Sequence, residues 1–568
     1  MNQNRTKLKK SSKGLRPGFQ IIIIGIVWLM IAAIFPVAQA GAETASSRVS
    51  SSDDETAFQA SLSHLQTQAA EWGIKDAKEE FRLRRVARDD LGIIHVRLDQ
   101  MYNGIPVFGQ QMIVHINSNG SLQSVTGSYK AGITVQTQPK ISGQIAREKA
   151  LQFFNGPVTN NPETELLVYP MDGITTLVYR VVMEDESAPK RIVAFVDAMT
   201  GKIIDSYDDL QTFLPSTEVQ TQLVKEQDSS DKKTLSVTTV APAKGIGRSL
   251  YSGTINIITL NQSKKYYTLD PLKGSGSQVS GYMRTSDLNN GYSGDGIIFS
   301  DLDNVWGNGQ NTDRATAGVD AHYGAEMTWD YYLQSFNRKG IYNDNKGTLS
   351  RVHYGVKYNN AFWDSSCRCM TYGDGDGITF SPLVSLDIAG HEMTHGVTES
   401  VAGLIYTRQS GGLNEAMSDI FGTIVEFYAA SRGANKTPNY LIGEDAYTPA
   451  IPGDALRYMN NPTKDGHSID NFLDYRDGID VHYSSGIANN AFYLLAEGGT
   501  HRLGGKVTGI GKAKAMRIFF RALDVYMIPT ETFSQARAHT IQAATDLYGA
   551  SSQEVTSVKQ TWDAVKVV

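Results

Sequence analysis

The chain has 568 residues, of which 41% are hydrophobic and 20% are charged, and its formal net charge is −6. This length indicates several folding units, and the composition is that of a globular protein rather than a disordered one. The negative charge and the lack of a basic stripe argue against nucleic acid as a partner.

The N-terminus combines a basic segment with an apolar run. Cationic residues occur from Lys7 to Arg16, and the apolar run from Phe19 to Val37 is followed by Ala38-Gln39-Ala40. This pattern predicts a signal peptide over residues 1–40 and a secreted, extracellular protein that does not contact the membrane after cleavage. An uncleaved membrane anchor is the alternative, because the run is almost long enough to span a bilayer.

Two small α+β modules are predicted next, over residues 41–129 and 130–210. In each module a helical pattern precedes alternating strands, and the turn signals include Asn103-Gly104 and Thr200-Gly201. Residues 211–240 are polar and charged, which predicts an exposed linker, and such segments are where chains are cut.

The remaining residues, 241–568, divide into two segments with different sequence patterns. Residues 241–400 are rich in Gly, Tyr and Asn and predict a β-rich lobe, whereas 401–568 have helical periodicity. Cys367 and Cys369 are the only cysteines, too few for a disulfide scaffold. Whether these two form a disulfide or stay as thiols is left open, and bound calcium is a candidate stabiliser.

The sequence His391-Glu392-Met393-Thr394-His395 lies in a helical pattern. Residues four apart on a helix project from the same face, so His391 and His395 can direct two imidazole nitrogens at one ion. A catalytic zinc takes three protein ligands and leaves one position for water. On these residues alone, a polar helix face is the alternative, since the pattern also arises by chance.

Glu415 is the candidate for the third ligand. It follows His395 by twenty residues, in a second helical segment that is otherwise largely apolar. A carboxylate in such surroundings is costly unless it is paired or binds a metal. Asp419, one turn later, is expected to accept a hydrogen bond from the far nitrogen of a ligating histidine. We therefore predict one catalytic Zn²⁺.

These motifs occur with others in a fixed order, namely YNNAFWD (358–364), YGDGDG (372–377), AGLIY (402–406), ALRYM (455–459) and DGIDVHYSSGIANNAFYLL (477–495). Over essentially its whole length the chain resembles the thermolysin-like neutral metalloproteases. The resemblance implies an α+β fold with a two-lobed catalytic domain, in which the zinc helix lies between a β-rich and a helical lobe. It also implies that a two-module α+β propeptide precedes this domain.

The resemblance further implies a mechanism. Glu392 is expected to act as general base toward a zinc-activated water. Tyr406 and His482 are expected to donate hydrogen bonds to the developing oxyanion, and Asp477 to orient His482.

Substrate contacts are also implied by the resemblance. Asn360 and the backbone of Ala361 are expected to bind the substrate as an added strand, and Arg457 to bind a carbonyl on the leaving side. The leaving-side subsite is expected to be apolar, which favours cleavage before Leu, Phe, Ile or Val. Its expected lining residues are Phe380, Leu383, Ile388, Ile442 and Leu456.

The resemblance also implies structural calcium sites, of which the first two below match calcium sites of the family, and one to three Ca²⁺ ions are expected because calcium prefers clustered oxygen ligands. The first predicted site consists of Asp387, Glu426, Asn439, Leu441 and Glu444. The second consists of Tyr447, Thr448, Ile451 and Asp454. The third consists of Asp301 and Asp303.

The function indicated is that of a secreted zinc endopeptidase made as a zymogen, with polypeptides as substrates and a monomeric state. Its own propeptide is expected to serve as intramolecular chaperone and inhibitor, and to be removed by self-cleavage around residues 234–241. The alternative is a catalytically silent relative that acts as a binding or inhibitory module. Intact Glu392, Glu415, Tyr406 and His482 argue against that alternative.

Overall fold

The computed structural model describes residues 51–171, 173, 175–215 and 241–568. The predicted signal peptide and the predicted maturation site at 234–241 lie outside these described residues, apart from Ala241. Across the described ranges, no helix combines the length and the apolar character that crossing a membrane requires.

The first part of the described chain contains one eight-stranded sheet and four helices. The helices are α1 (Ser51–Thr67), α2 (Ala69–Trp72), α3 (Ala77–Glu80) and α4 (Gly143–Phe154). The strands are β1 (Phe81–Arg88), β2 (Ile94–Tyr102), β3 (Ile105–Ile116), β4 (Leu122–Gly127), β5 (Glu163–Tyr169), β6 (Thr176–Asp185), β7 (Lys190–Asp197) and β8 (Ile203–Asp208). Their order is β1-β2-β3-β5-β6-β7-β8, and β4 pairs with β3.

Local sequence explains these elements. Asn103 and Gly104 both have positive φ, at 49° and 80°, as a tight hairpin turn between β2 and β3 requires. In α4 the Ser142 side chain caps the N-terminus by accepting a hydrogen bond from the Ile145 amide. Its buried residues Ala146, Ala150 and Phe154 recur every four residues and face β6 and β7.

The two predicted modules are joined through the sheet. Each has its own buried core, one around Val96 and Met112 and the other around Val181 and Ala194. Strands β3 and β5 connect them through a single pairing, between Val107 and Val168. The sheet therefore crosses the predicted boundary at 129/130, and at this crossing Val107 of the first module shares a buried cluster with Val168 and Leu177 of the second.

The β-rich lobe contains two sheets and one long helix, α5 (Arg314–Phe336). The five-stranded sheet has the order β16-β12-β11-β10-β17, from β10 (Ala241–Arg248), β11 (Thr254–Gln262), β12 (Lys265–Tyr267), β16 (Ser300–Asp301) and β17 (Val305–Trp306). The strands of the other sheet are β9 (Gln211–Thr212), β13 (Leu269–Gly274), β14 (Tyr282–Asp287), β15 (Ile297–Ile298), β18 (Leu349–Tyr354), β19 (Ala361–Asp364) and β20 (Cys369–Gly373). Its order is β13-β14-β18-β20-β19-β9, with β15 beside β14.

Strand β9 corrects one prediction. Residues 211–240 were expected to form an exposed linker, yet Gln211 and Thr212 form the edge strand of the second sheet of the β-rich lobe. Thr212 pairs with Phe362 of β19 and Gln211 pairs with Trp363. The reason is that this segment continues into Phe213 and Leu214, which are buried in the core of the catalytic lobes.

The helical lobe follows α6 (Leu386–Val401), the helix that carries both histidines. Its other helices are α7 (Arg408–Ser431), α8 (Val481–Ser484), α9 (Gly486–Glu497), α10 (Lys512–Arg521), α11 (Phe533–Tyr548) and α12 (Gln553–Ala564). Two short hairpins pair β21 (Leu441–Ile442) with β22 (Arg457–Tyr458) and β23 (Gly499–Thr500) with β24 (Lys506–Val507). The predicted α+β class with a β-rich lobe, a helical lobe and a propeptide-like first part is confirmed.

Candidate active site and metal centre

Helices α6 and α7 pack closely and bring the predicted zinc ligands together. A Cβ on Gly390 would lie 2.9 Å from Gly422 Cα, and a Cβ on Gly422 would lie 2.4 Å from the carbonyl oxygen of Asp387. Only glycine permits this approach of the two backbones. The close contact places Glu415 of α7 opposite the two histidines of α6.

The ligand atoms of the predicted zinc site converge. His391 Nε2 and His395 Nε2 lie 3.0 Å apart, and Glu415 oxygens lie 3.5 Å from the first and 3.4 Å from the second. All three side chains are buried. A zinc ion with ligand distances of about 2.0–2.2 Å requires such separations between its donor atoms.

The outer nitrogens of both histidines are held by neighbouring side chains. His391 Nδ1 lies 2.9 Å from Asp419 Oδ1, and His395 Nδ1 lies 2.9 Å from Asn414 Oδ1. Each Nδ1 therefore carries the proton, and each Nε2 presents a lone pair to the common point. The predicted contact between Asp419 and a ligating histidine is present.

The buried carboxylates also fit a cation. Both oxygens of Glu392 and one oxygen of Glu415 are buried without a hydrogen-bond partner in the described part of the chain. Leaving such groups unpaired is costly, and a divalent cation removes that cost. The donor set of two imidazoles and one carboxylate suits zinc.

Tyr406 and His482 lie beside this metal centre. The Tyr406 hydroxyl contacts Glu415 and lies 3.3 Å from His482 Nε2. Burial opposes a charge on His482, but the carboxylates of Glu415 and Asp480 outweigh it and raise the pKa of the imidazole. Both groups can therefore donate hydrogen bonds into the site.

The predicted orienting role of Asp477 is wrong in its geometry. His482 Nδ1 bonds with Asp480 Oδ1 at 2.7 Å, whereas Asp477 contacts Tyr475. Asp480 is the N-cap residue of α8, and its carboxylate also accepts the His482 amide proton. The available signal was an aspartate two residues before His482 at a helix start.

The end of the propeptide-like part occupies the cleft in an extended conformation. The carbonyl oxygen of Thr212 lies 2.6 Å from His482 Nε2 and 3.3 Å from the Tyr406 hydroxyl. The Phe213 amide donates to the Ala361 carbonyl at 2.9 Å, and Arg457 donates to the Phe213 carbonyl at 2.9 Å. The segment thus binds as an added strand, and sequence analysis did not foresee it.

Asn360 completes this binding. Its Oδ1 accepts the Leu214 amide proton at 3.0 Å, and its Nδ2 donates to the Leu214 carbonyl at 3.2 Å. Arg457 is fixed by two hydrogen bonds to Asp419, at 2.9 and 2.7 Å. The predicted substrate-binding residues Asn360, Ala361 and Arg457 therefore surround one backbone segment.

The Phe213 ring lies in an apolar pocket next to the metal centre. It is 5.2 Å from the His391 ring and 4.8 Å from the Arg457 guanidinium, measured to ring centroids. A Cβ added to Gly443 would lie 3.2 Å from the ring and 3.4 Å from Leu456. The predicted subsite residues Phe380, Leu383, Ile388, Ile442 and Leu456 belong to the same hydrophobic cluster as Phe213.

The sequence matches known protein families and relatives over most of the chain. Residues 244–399 match the family described as "Thermolysin metallopeptidase, catalytic domain", and residues 402–567 match "Thermolysin metallopeptidase, alpha-helical domain". Residues 79–129 match "Fungalysin/Thermolysin Propeptide Motif". Bacillolysin of Bacillus cereus is 38% identical over 508 residues, which cover 87% of this chain and 86% of that protein.

The chain belongs to the thermolysin family of metallopeptidases. Thermolysin of Bacillus sp. (strain EA1) is 39% identical over 507 residues and 86% of each chain. A transglutaminase-activating metalloprotease of Streptomyces mobaraensis is 38% identical over 513 residues, but this chain spans only 61% of that relative. The chain is therefore a zinc metalloendopeptidase with a propeptide, as its resemblance indicated.

The first predicted calcium site of this thermolysin-family chain contains a lysine. Lys436 Nζ lies 3.4 Å from Glu426 Oε1 and 3.0 Å from Glu444 Oε1, and it also contacts Asp445. Burial raises the pKa of Glu426 to about 9 and that of Glu444 to about 7, against the opposing effect of Lys436. A calcium ion would have to displace this ammonium group to reach both glutamates.

The remaining residues of this first site are already engaged. Asp387 accepts hydrogen bonds from the Gly443 amide at 2.6 Å and from Ser385 at 2.5 Å. Asn439 accepts the Leu441 amide proton at 2.6 Å and donates to Glu444 at 2.9 Å. Calcium at this site stays a prediction.

In the other two predicted calcium sites, residues of the loop form hydrogen bonds with one another. Thr448 donates to Asp454 at 2.8 Å, and the Ile451 amide donates to the Thr448 carbonyl at 2.7 Å, while Tyr447 of the same loop pairs with Phe380. Asp301 accepts from the Asp303 amide at 2.9 Å. Within the described residues, the groups whose atoms converge as metal ligands are the zinc site and Asp364 with the two cysteines.

The two cysteines are bonded to each other rather than present as free thiols. Cys367 and Cys369 form a disulfide in the turn between β19 and β20. The disulfide follows β19, the strand that pairs with β9 and whose Ala361 carbonyl accepts the Phe213 amide proton.

Proposed function

We propose that this chain is a secreted zymogen that hydrolyses peptide bonds on the N-terminal side of bulky apolar residues. The supporting observation is the placement of the Thr212 carbonyl against His482 and Tyr406, with the Phe213 ring in the adjacent apolar pocket. Secretion is supported by the N-terminal pattern of residues 1–40.

His391, His395 and Glu415 would hold the zinc ion. When bound, zinc lowers the pKa of a water ligand and polarises the carbonyl of the bond to be cleaved. Glu392 follows His391 directly and has two buried oxygens without partners among the described residues, so it is placed to accept a proton from water. The same carboxyl then delivers the proton to the departing amine.

Negative charge develops on the carbonyl oxygen during attack. His482 Nε2 and the Tyr406 hydroxyl donate to that oxygen, and both are fixed by the protein before substrate binds. Asp480 holds His482 in orientation and favours its charged form. Asn360, Ala361 and Arg457 position the substrate backbone on the leaving side.

The propeptide acts as inhibitor because its last strand occupies the substrate cleft. Ion pairs and hydrogen bonds hold the two parts together elsewhere. Arg97 donates to the Met527 carbonyl at 2.8 Å, Arg521 lies 2.8 Å from Asp89, and Arg191 lies 3.0 Å from Asp364. Such contacts favour a folded catalytic part bound to its propeptide, which is the basis for proposing chaperone action and a monomeric zymogen.

The test is hydrolysis of a set of peptides that differ only at the residue after the cleaved bond. Mature enzyme should cleave before Phe and Leu about a hundredfold faster than before Gly, a difference that burial of a large apolar side chain can supply. Chelation of zinc and Glu392→Gln should each abolish hydrolysis. Equal rates on all peptides would refute the preference, and chelator-resistant hydrolysis would refute the mechanism.

A further inference from the structure

The chain around Thr212 and Phe213 binds through its backbone on both sides of one peptide bond. Before the bond, the Thr212 carbonyl faces the two oxyanion donors, His482 and Tyr406. After the bond, the Phe213 amide and carbonyl and both backbone groups of Leu214 have partners. A segment that only blocked the cleft would have no need to align its carbonyl with these donors.

The side chain after the bond fits the proposed preference of the enzyme. Phe213 is fully buried, between His391, Arg457 and Gly443. On the other side of the bond, an open cavity of about 530 Å³ borders Thr212, Tyr406 and His482. The residue before the bond and the two oxyanion donors therefore border a cleft that is large enough to hold water.

We propose that the Thr212–Phe213 bond is the first bond that this precursor hydrolyses in its own chain. The assignment rests on the proposed function. Water adds to the carbonyl carbon of Thr212, and the bond between that carbon and the Phe213 nitrogen breaks. The departing nitrogen takes a proton from Glu392, which leaves a Thr212 carboxylate and a Phe213 α-amine as the new ends.

This bond precedes those in the segment 216–240 for a geometric reason. A cut within 216–240 leaves β9 and residues 213–215 continuous with the propeptide, so the cleft stays filled. A cut after Thr212 separates Phe213, Leu214 and Pro215 from β9 and from the propeptide sheet. The leaving-side subsites can then empty, and bonds in 216–240 become substrates for a second, intermolecular cleavage.

The first cut is intramolecular, because the bond is already bound within its own molecule. Positioning of this kind replaces a bimolecular encounter by a first-order step. The rate constant of the first cut is therefore independent of protein concentration, whereas later cuts between molecules become slower on dilution.

The test uses the full-length precursor prepared without metal and started by adding zinc. Intact-mass measurement and N-terminal sequencing follow the products over a hundredfold range of protein concentration. The expected first products end at Thr212 and begin at Phe213, with one rate constant at all concentrations. A first new N-terminus elsewhere, such as Leu235 or Val237, would overturn the assignment, as would a first cut whose rate constant scales with concentration.

Three variants sharpen the test. Phe213→Pro removes the amide proton that Ala361 accepts, and we expect the first cut to slow about a hundredfold or more. Phe213→Leu keeps an apolar side chain and should stay within about threefold of the natural rate. The matched control Leu235→Pro alters the other candidate region and should leave the rate of the first cut within about twofold.

Failure of this assignment is distinguishable from failure of the proposed function. The wild-type end product is assayed on a separate peptide that contains Phe, with and without a chelator of zinc. Zinc-dependent hydrolysis of that peptide together with an intact Thr212–Phe213 bond would overturn the assignment alone. No hydrolysis of either bond would overturn both.

Discussion

Two buried carboxylate clusters lie beside helices α6 and α7, and they neutralise their charge in different ways. In the zinc cluster, Glu415 faces His391 and His395, whose lone pairs point to one position. In the acidic cluster of Asp387, Glu426 and Glu444, the amine of Lys436 lies among the carboxylates. The zinc cluster was predicted from the spacing of two histidines and a glutamate, and the acidic cluster was predicted as a calcium site from the family resemblance.

The difference shows what decides between a bound ion and a side chain. Buried carboxylates need a positive charge close by, and either a metal ion or a lysine meets that need. In the zinc cluster the Nδ1 atoms of both histidines bond to Asp419 and Asn414 and their Nε2 atoms converge on one point, which is the arrangement of ligands that hold an ion.

Glu415→Gln removes the only carboxylate among the three zinc ligands. We expect loss of bound zinc and a fall in kcat/KM of about ten-thousandfold, equal to about 5 kcal/mol of transition-state stabilisation. Metal analysis and peptide hydrolysis measure both. The matched control Glu426→Gln, in the acidic cluster, should keep its zinc and lose less than about threefold in activity.

Lys436→Met removes the positive charge from the acidic cluster. In calcium-free buffer the free energy of unfolding should fall by about 3 kcal/mol, because the carboxylates are left buried without a partner. Added calcium should restore more stability in this variant than in the natural protein, as chemical denaturation can measure. Lys512→Met, which breaks an exposed pair with Glu497, should change stability by less than about 0.5 kcal/mol. A Lys436→Met protein as stable as the natural one would contradict the comparison.

Acidic pH should weaken the zymogen through buried histidines of the propeptide. His115 Nδ1 lies 2.8 Å from His95 Nδ1, and the His115 ring lies 5.0 Å from the Tyr526 ring of the catalytic part. Burial and then the charge of nearby His95 lower the pKa of His115 well below its usual range. The unfolded state therefore binds more protons, so stability is lost as pH falls through the unfolded-state pKa of about 6.5.

The expected loss for one such group is about 1.4 kcal/mol for each pH unit below 6.5. Chemical denaturation of Glu392→Gln zymogen at pH 7.5 and 5.5 measures it. Adding His115→Gln should reduce the difference between the two values. An unchanged difference would show that other groups govern the pH response.

The smallest effect concerns the aspartates near His482. Asp480→Asn should lower kcat/KM about fivefold, or about 1 kcal/mol, because it weakens the hydrogen bond that orients His482. Asp477→Asn should stay within about twofold, since its carboxylate contacts Tyr475 instead. Steady-state kinetics on one peptide measures both variants. A larger loss in Asp477→Asn than in Asp480→Asn would support the sequence-based prediction that Asp477 orients His482.

Most of the metal-binding residues could be predicted from the sequence because they lie close together in the chain or at helical spacing. His391 and His395 share a helix face by their separation, and Glu415 lies in a motif at a fixed distance from them. The lobes followed from the change between turn-rich and helical patterns. The family match over residues 244–567 agrees with both.

The remainder depended on packing between distant segments. Lys436 enters the acidic cluster from a loop, and Phe213 reaches the cleft from the segment that follows the propeptide modules, so neither contact has a sequence signature. Asp477 and Asp480 both lie close to His482 in the sequence. The structure shows that Asp480, the N-cap residue of α8, is the one that binds it. Long-range contacts of this kind need the folded structure.

Crystallographic anomalous scattering at the zinc edge, measured on crystals of the Glu392→Gln zymogen, locates the metal relative to the segment in the cleft. We expect one peak about 2.0–2.2 Å from His391 Nε2, His395 Nε2 and a Glu415 oxygen, with the Thr212 carbonyl beside it. A zinc peak bound elsewhere, or a cleft from which residues 211–215 are absent, would contradict it.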